Sequence, residues 1–216
     1  MATDPLDPTI GIVVFPNAEE LDFVGPWEAF SMAKRAHRGG AESPDPAAPA
    51  PDLGVHLVAQ TRDVVRCAKG LRVVPDCAFE DAPPLDVVLV PGGIGTRREV
   101  GNEALLAWLR EIAPRCTWVT SVCTGSLVLA GAGLARGRRV TTHWAFVPTL
   151  RERYPDTTVL DGVRYVRDGN LVTAAGVSAG IDMALWVVGQ IWGVAHARLA
   201  QRMMEYDPAP PYTADV

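Results

Sequence analysis

Thr117-Trp-Val-Thr-Ser121-Val-Cys123-Thr124-Gly125-Ser-Leu-Val-Leu-Ala130 is the stretch that decides the fold. The run Thr117–Val122 is apolar without alternation, which predicts a strand buried on both faces. Gly125–Ala132 reads as a short apolar helix, so strand passes to helix through one tight turn. A strand, a nucleophile, a small residue two positions on and then a helix have the shape of a nucleophile elbow. Ser121 and Gly125 must be small for chain and helix to pass, and the Cys123 side chain points off the sheet edge. A helix N-terminus favours negative charge and can lower a thiol pKa from its usual ~8.5. The competing reading of Cys123 is a packed core cysteine, the common fate of a free thiol.

Working outward, strands alternate with helices. Ile10–Phe15, Val55–Ala59 and Asp86–Val90 read as strands, with Val64–Arg66 and Leu71–Val74 as a short pair around Lys69-Gly70. Asn17 with Glu20 has the spacing of a capping box, and Gly25-Pro26 predicts a helix that kinks there or restarts at Pro26 and runs to about Arg35. Glu103–Ile112 has helical periodicity. Val159–Arg167 and Asn170–Thr173 flank Asp168-Gly169, a hairpin signal. Ala179–Val194 and Ala195–Glu205 read as helices. Continuous apolar strands alternating with helices predict an α/β fold, a flavodoxin-like doubly wound, mostly parallel sheet with helices on both faces. Ligands of such sheets bind at the carboxyl ends of the strands. Three ends stand out: Asn17–Asp22, Pro91-Gly92-Gly93 and Ser121–Cys123.

Composition sets the frame. With 216 residues, 48% hydrophobic and 21% charged, the chain is expected to fold as a single domain over 1–216, with a Pro/Ala-rich surface loop at about 39–51. A net charge of −5 argues against nucleic acid as a partner. The N-terminus lacks a basic region and an apolar run, so no signal peptide is expected. Leu171–Ala195 is apolar, but polar residues and glycines divide it into a strand and a buried helix, so no membrane span is expected. The four cysteines, Cys67, Cys77, Cys116 and Cys123, form no Cys-x-x-Cys pair, which excludes a zinc knuckle, and free thiols fit a cytoplasmic location.

A nucleophile needs an acid or a base. His37 and His196 fall in polar helical stretches and are read as solvated, and His56 lies within a strand. His143 follows a strand in Thr141-Thr142-His143-Trp144, where either a cleft residue or a packed histidine fits. Among Glu19, Glu20 and Asp22, Asp22 has apolar neighbours, Leu21, Phe23 and Trp27, that could raise its pKa for acid chemistry, and Glu19 and Glu20 have fewer. Gly92 and Gly93 supply backbone N–H groups that suit developing negative charge. Lys34 and Lys69, the only lysines, sit at no strand end, which argues against Schiff-base chemistry.

Taken together, Asn17-Ala-Glu-Glu-Leu-Asp22-Phe-Val-Gly-Pro-Trp-Glu-Ala-Phe30, Pro91-Gly-Gly-Ile-Gly95, Thr120-Ser-Val-Cys123-Thr-Gly-Ser-Leu-Val-Leu-Ala130 and Thr141-Thr-His-Trp144 resemble the ThiJ/PfpI superfamily. Within it the chain is similar to the isonitrile hydratase branch, a match strengthened by Arg167–Leu171, Ala179–Met183 and Glu205–Tyr212. The resemblance covers about residues 10–213. It implies a strained elbow cysteine at Cys123 and a carboxylic acid beside the sulfur at Asp22. Its protease- and deglycase-like branches carry His directly after the cysteine, where this chain has Thr124. Related transcription regulators append a helix-turn-helix domain; only about 13 residues follow the last long helical pattern here, so none is expected. The implied activity is hydration of an isonitrile to an N-substituted formamide through a thioimidate on Cys123. Asp22 and Thr124 would assist, and no cofactor or metal is required. His143, Trp144 and Val177 would wall the pocket of a small-molecule substrate, and a homodimer is implied. The alternatives are a redox-sensing or ligand-binding protein with a reactive Cys123, or glyoxalase- or deglycase-like chemistry.

Overall fold

The structure, a computed structural model, describes residues 7–39 and 52–207. The expected Pro/Ala-rich loop, apart from Gly39, and the segment after Asp207 lie outside the described residues. Eleven strands run in chain order: β1 (Ile10–Val13), β2 (Val55–Ala59), β3 (Val65–Arg66), β4 (Arg72–Val73), β5 (Cys77–Ala78), β6 (Val87–Val90), β7 (Trp118–Val122), β8 (Arg139–Val140), β9 (Thr158–Val159), β10 (Tyr165–Asp168) and β11 (Leu171–Ala174). The helices are α1 (Glu20–His37), α2 (Thr96–Glu99), α3 (Glu103–Ile112), α4 (Gly125–Gly131), α5 (Val147–Arg153), α6 (Ala179–Trp192) and α7 (Val194–Met203).

Seven strands form one sheet in the order β10-β11-β7-β6-β1-β2-β5. All pairings are parallel except β10 against β11 at the edge. Every residue of β1, β6 and β11 is buried, because helices cover both faces. One layer holds α1, α6 and α7 packed on one another, and a second holds α2, α3 and α4. The expected doubly wound, mostly parallel α/β sheet is what the chain forms. From β1 the chain moves outward to β2 and β5, then crosses back to β6 on the other side of β1. The switch point between β1 and β6 opens a crevice at the strand carboxyl ends. Asp22 follows β1 and Gly92 follows β6, so both reach that crevice.

Several local expectations need correction. Asn17 does not cap α1: it adopts φ 63°, and Glu19 occupies the cap position without a side-chain hydrogen bond. The Glu20 carboxylate instead accepts the Lys69 N–H at 2.6 Å, drawn there by the β3–β4 turn. Helix α1 runs unbroken through Pro26, which removes one backbone hydrogen bond but is held by packing on α6. Val159–Arg167 is not one strand. Asp161-Gly162 turns it (Gly162 φ 69°), leaving β9 paired with β8 and β10 in the main sheet. The β10–β11 hairpin does form, with Asp168 opposite Leu171. Among the described residues no helix is long and apolar enough to cross a membrane, and Leu171–Ala195 is β11, then α6, then the first residues of α7 after Gly193.

His196 is not simply solvated: it is half-buried, with Nε2 2.8 Å from Ala33 O, and it packs against Trp192 and His37. Lys34, read from the sequence only as remote from strand ends, is fully buried.

Candidate active site

Cys123 sits between β7 and α4 with φ 56°, a left-handed conformation that side-chain-bearing residues rarely adopt. Hydrogen bonds on both sides hold it there. Its N–H donates to Ala175 O at 2.7 Å and to Ala174 O at 3.1 Å. Its carbonyl accepts the hydroxyls of Thr142 at 3.0 Å and Ser126 at 3.1 Å. Backbone strain of roughly 1–3 kcal/mol persists only where surroundings impose it in this way. Gly125 is small for the expected reason: a Cβ there would lie 2.1 Å from Val90 O.

The β6 turn completes the pocket around the sulfur. A Cβ at Gly92 would lie 2.6 Å from Thr124 N, 2.7 Å from Cys123 Cβ and 2.8 Å from Asp22 Oδ2. Three elements therefore converge on a bare backbone. The Gly92 N–H donates to Asp22 Oδ2 at 2.8 Å, so it orients the carboxyl and is not open to a substrate oxyanion. The Gly93 N–H lies 3.1 Å from Thr124 Oγ1 and also faces the Cys123 sulfur. The Thr124 hydroxyl faces the sulfur and the Gly93 peptide rather than Asp22.

Asp22 is fully buried. Of its apolar sequence neighbours Phe23 is buried, but Leu21 and Trp27 are each more than a third exposed (39% and 38%) and point to other sides of α1. Gly92, Cys123 and Val177 enclose it. Its Oδ1 has no well-formed hydrogen bond, and the Cys123 thiol and Val177 N–H face the carboxyl. Burial pushes Asp22 up to about 7, against the pull of the Gly92 N–H and with help from the Glu19 charge. Lys69, on the β3–β4 turn, pairs with Glu19.

The Cys123 thiol departs from the sequence expectation of a lowered pKa. Burial and then the Asp22 charge push it up to about 12, outweighing the Thr124 N–H, the Thr124 hydroxyl and the Gly93 N–H. The two acids interact directly, so above about pH 7 they share one proton as a pair. The thiols of Cys67, Cys77 and Cys116 are buried, unpaired and likewise raised by burial, in accord with their reading as core residues.

His143, Trp144 and Val177 come together on a cleft of about 310 Å3 that neither Cys123 nor Asp22 lines and that meets the pair through Thr142 and Val177. Val177 is strained at φ 50°. His143 packs on Gly176, where a Cβ would meet His143 Cδ2 at 2.4 Å, and its Nδ1 accepts the Ala145 N–H at 3.3 Å. It caps the short 3-10 turn 144–146 and makes no hydrogen bond to Cys123 or Asp22 among the described residues. Trp144 is 75% exposed at the rim.

Sequence reasoning overlooked three supports. Thr96 is buried, its hydroxyl 2.8 Å from Gly93 O and 3.0 Å from Thr124 Oγ1. Ser126 and Thr142 brace the Cys123 carbonyl. Thr96 and Ser126 each lie three residues beyond a strand-end turn residue, Gly93 and Cys123, and Thr142 lies two residues beyond β8, a spacing that carries no signal by itself.

The chain is similar to known proteins over most of its length. Residues 8–190 match the DJ-1/PfpI family. The isonitrile hydratase of Pseudomonas putida is 43% identical over 94% of this chain and 80% of its own length. The HTH-type transcriptional regulator CdhR of Pseudomonas aeruginosa is 34% identical over 64% of this chain, but that match spans only 40% of the regulator. A ThiJ/PfpI family protein from Pseudomonas syringae superposes with a TM-score of 0.81 at 34% identity, covering 97% of this chain and 79% of that one. With the elbow, the crevice and these relatives in agreement, the chain belongs to the DJ-1/PfpI family.

Proposed function

We propose that this protein hydrates an isonitrile to an N-substituted formamide, with Cys123 as the nucleophile and Asp22 as the proton carrier. The observation that carries the reading is the Asp22 carboxyl enclosed against the Cys123 thiol, with no histidine hydrogen-bonded to either among the described residues. The 43% identity to the Pseudomonas putida isonitrile hydratase supports it.

The terminal isonitrile carbon has no leaving group, so covalent catalysis divides the addition of water into two steps. The one-proton form of the pair is reactive. Sulfur bonds to the carbon while Asp22 passes the thiol's proton to that same carbon, giving a thioimidate, R–N=CH–S–Cys123. Asp22, now a carboxylate, takes a proton from water as the oxygen adds, and delivers it to nitrogen. The C–S bond then breaks, and the hydroxyl proton returns to the pair through Asp22 as the formamide leaves. The Thr124 and Gly93 N–H groups face the sulfur and steady negative charge there. We include a homodimer in this reading: Leu21, Val24 and Trp27, at i, i+3 and i+6 on α1, present a partly exposed apolar face.

Redox sensing is the weaker reading, because a sensor needs an accessible thiol of low pKa. Cys123 is 7% exposed with its thiol pushed up. Parallel assays with an aryl isonitrile and methylglyoxal test the assignment. Formamide should accumulate with the wild type and not with Cys123→Ala. Consumption of methylglyoxal alone, or full turnover by Cys123→Ala, would overturn it.

A further inference from the structure

The cleft beside Cys123 holds a residue that neither the catalytic pair nor the elbow requires. Its inner side abuts the pair. Thr142 lines the cleft and donates to the Cys123 carbonyl, while Val177 lines it and turns its N–H toward Asp22. The Trp144 and His143 rings form an aromatic wall, with centroids 5.5 Å apart and planes 34° apart. Val163 and Val177 add apolar surface. Arg164 also lines the cleft, and its own carbonyl accepts the Ala175 N–H at 2.8 Å. Ala175 O in turn accepts the Cys123 N–H, so Arg164 and the nucleophile are fixed to one piece of backbone.

The Arg164 guanidinium is oriented before any ligand arrives. Its Nε donates to Asp182 Oδ2 at 2.6 Å, and one Nη lies 2.5 Å from the same oxygen. Asp182 Oδ1 accepts the Tyr206 hydroxyl at 2.8 Å, which holds the carboxylate in turn. The other contacts of Arg164, to Ser178 Oγ, are long at 3.3 and 3.4 Å. A guanidinium carries five N–H donors in a planar fork, so donors remain for an oxygen on a ligand. The side chain is half exposed (53%), so such an oxygen can reach it.

We propose that Arg164 is a specificity-determining residue, and that this cleft takes a planar aromatic substituent of the isonitrile nitrogen ending in an oxygen acceptor. This rests on the hydratase reading for its substrate class. A cleft of about 310 Å3 is at the small end for ligand pockets and suits a single ring with one such group. The ring lies along Trp144 and His143, and the acceptor meets Arg164. A carboxylate uses the fork bidentately, and a ketone uses one donor. The Asp161 carboxylate, which also lines the cleft, accepts its neighbour Gly162 N–H at 2.7 Å and forms no ion pair with Arg164 among the described residues.

The test compares phenyl isonitrile, its 4-acetyl and 4-carboxylate derivatives, and the matching N-aryl formamides as non-reacting ligands. Proteins are the wild type, Arg164→Gln and Arg164→Lys. Calorimetry should show the wild type binding the 4-carboxylate formamide about tenfold tighter than formanilide, with the 4-acetyl compound between. Arg164→Gln should lose that preference while still binding formanilide, and Arg164→Lys should restore part of it for the carboxylate only. In turnover the preference among the three substrates should appear in KM rather than in kcat. Equal binding of all three formamides to the wild type, or a preference that survives Arg164→Gln, would overturn the subsite. An Arg164-dependent preference in binding with no isonitrile consumed would leave the subsite standing and sink the hydratase reading.

Discussion

At the scale of single residues, the proposed chemistry rests on two acids placed where neither ionises easily. Asp22 titrates at its ordinary value of 3.8 in an unfolded chain and near 7 in the folded protein. Between those values the folded state keeps a proton that the unfolded state has released, so stability falls as pH rises through this window. The full loss is roughly 4 kcal/mol and is complete above about pH 7. Asp22→Asn removes the ionisation, so its stability relative to the wild type should climb between pH 4 and 7 and then level off. Urea denaturation at several pH values measures this, and a constant difference from pH 4 to 8 would exclude Asp22 as the cause. Activity should move the opposite way. kcat/KM should rise as pH increases through about 7, where the pair drops to one proton, and an activity flat from pH 5.5 to 8.5 would contradict the shared-proton form. Cys123 as the residue of interest was legible in the sequence, because a strand–Cys–helix turn needs only local information. The state of its thiol was not: the helix N-terminus argued for a lowered pKa, whereas enclosure and the Asp22 charge, both tertiary, decide the direction.

At the scale of elements, the site is a contact between turns. Glycine is required at 92 and 125 by different neighbours. At Gly125 a Cβ meets the backbone oxygen of Val90 at 2.1 Å, so β6 and α4 would have to separate. At Gly92 the nearest backbone atom, Thr124 N, is further off at 2.6 Å, and the Cβ also meets Cys123 Cβ at 2.7 Å and Asp22 Oδ2 at 2.8 Å. Gly125→Ala should therefore cost stability, about 3 kcal/mol or more, the upper range of overpacking. Gly92→Ala should cost less stability but about 100-fold in kcat/KM, the effect of displacing reacting groups by about 1 Å. Denaturation midpoints and steady-state rates of the two variants check this, and the reverse order of stability loss would be inconsistent with the packing described. The elements themselves were largely legible. β6, β7, α3, α4 and the β10–β11 hairpin follow from apolar runs and turn dipeptides. The N-terminus of α1 did not follow, because Asn17 and Glu20 satisfy a capping pattern that the β3–β4 turn overrides by supplying the Lys69 N–H.

At the scale of the whole molecule, one buried cation ties together segments far apart in sequence. Lys34, fully buried on α1, donates to Pro8 O at 2.5 Å and lies 2.8 Å from Asp7 Oδ1, ahead of β1. A Cβ on Gly54, ahead of β2, would lie 3.1 Å from its Nζ. Lys34→Met leaves the Pro8 carbonyl without this donor, while Asp7 keeps Arg38 at 2.7 Å. The expected loss is about 1–3 kcal/mol in urea denaturation, the cost of an unsatisfied buried group, with kcat unchanged. An unaltered midpoint would show that the tie adds nothing. No residue pattern predicted this burial, since a lysine in a helix reads as solvated until the lead into β1 is seen to fold over it.

Residue patterns alone reach the fold class and the strand–Cys123–helix turn, because hydrophobic periodicity and turn chemistry act between near neighbours, whereas Asp22 was singled out with the help of the family resemblance. Tertiary structure alone decided how those residues behave. The β1–β6 switch point carries the Asp22 carboxyl to the thiol across 101 residues of chain. Gly92 orients that carboxyl from a third strand end, and the β10–β11 sheet edge brings Arg164 to the cleft. Enclosure, proton sharing and the shape of a pocket depend on which distant groups face one another, and local sequence carries no record of that.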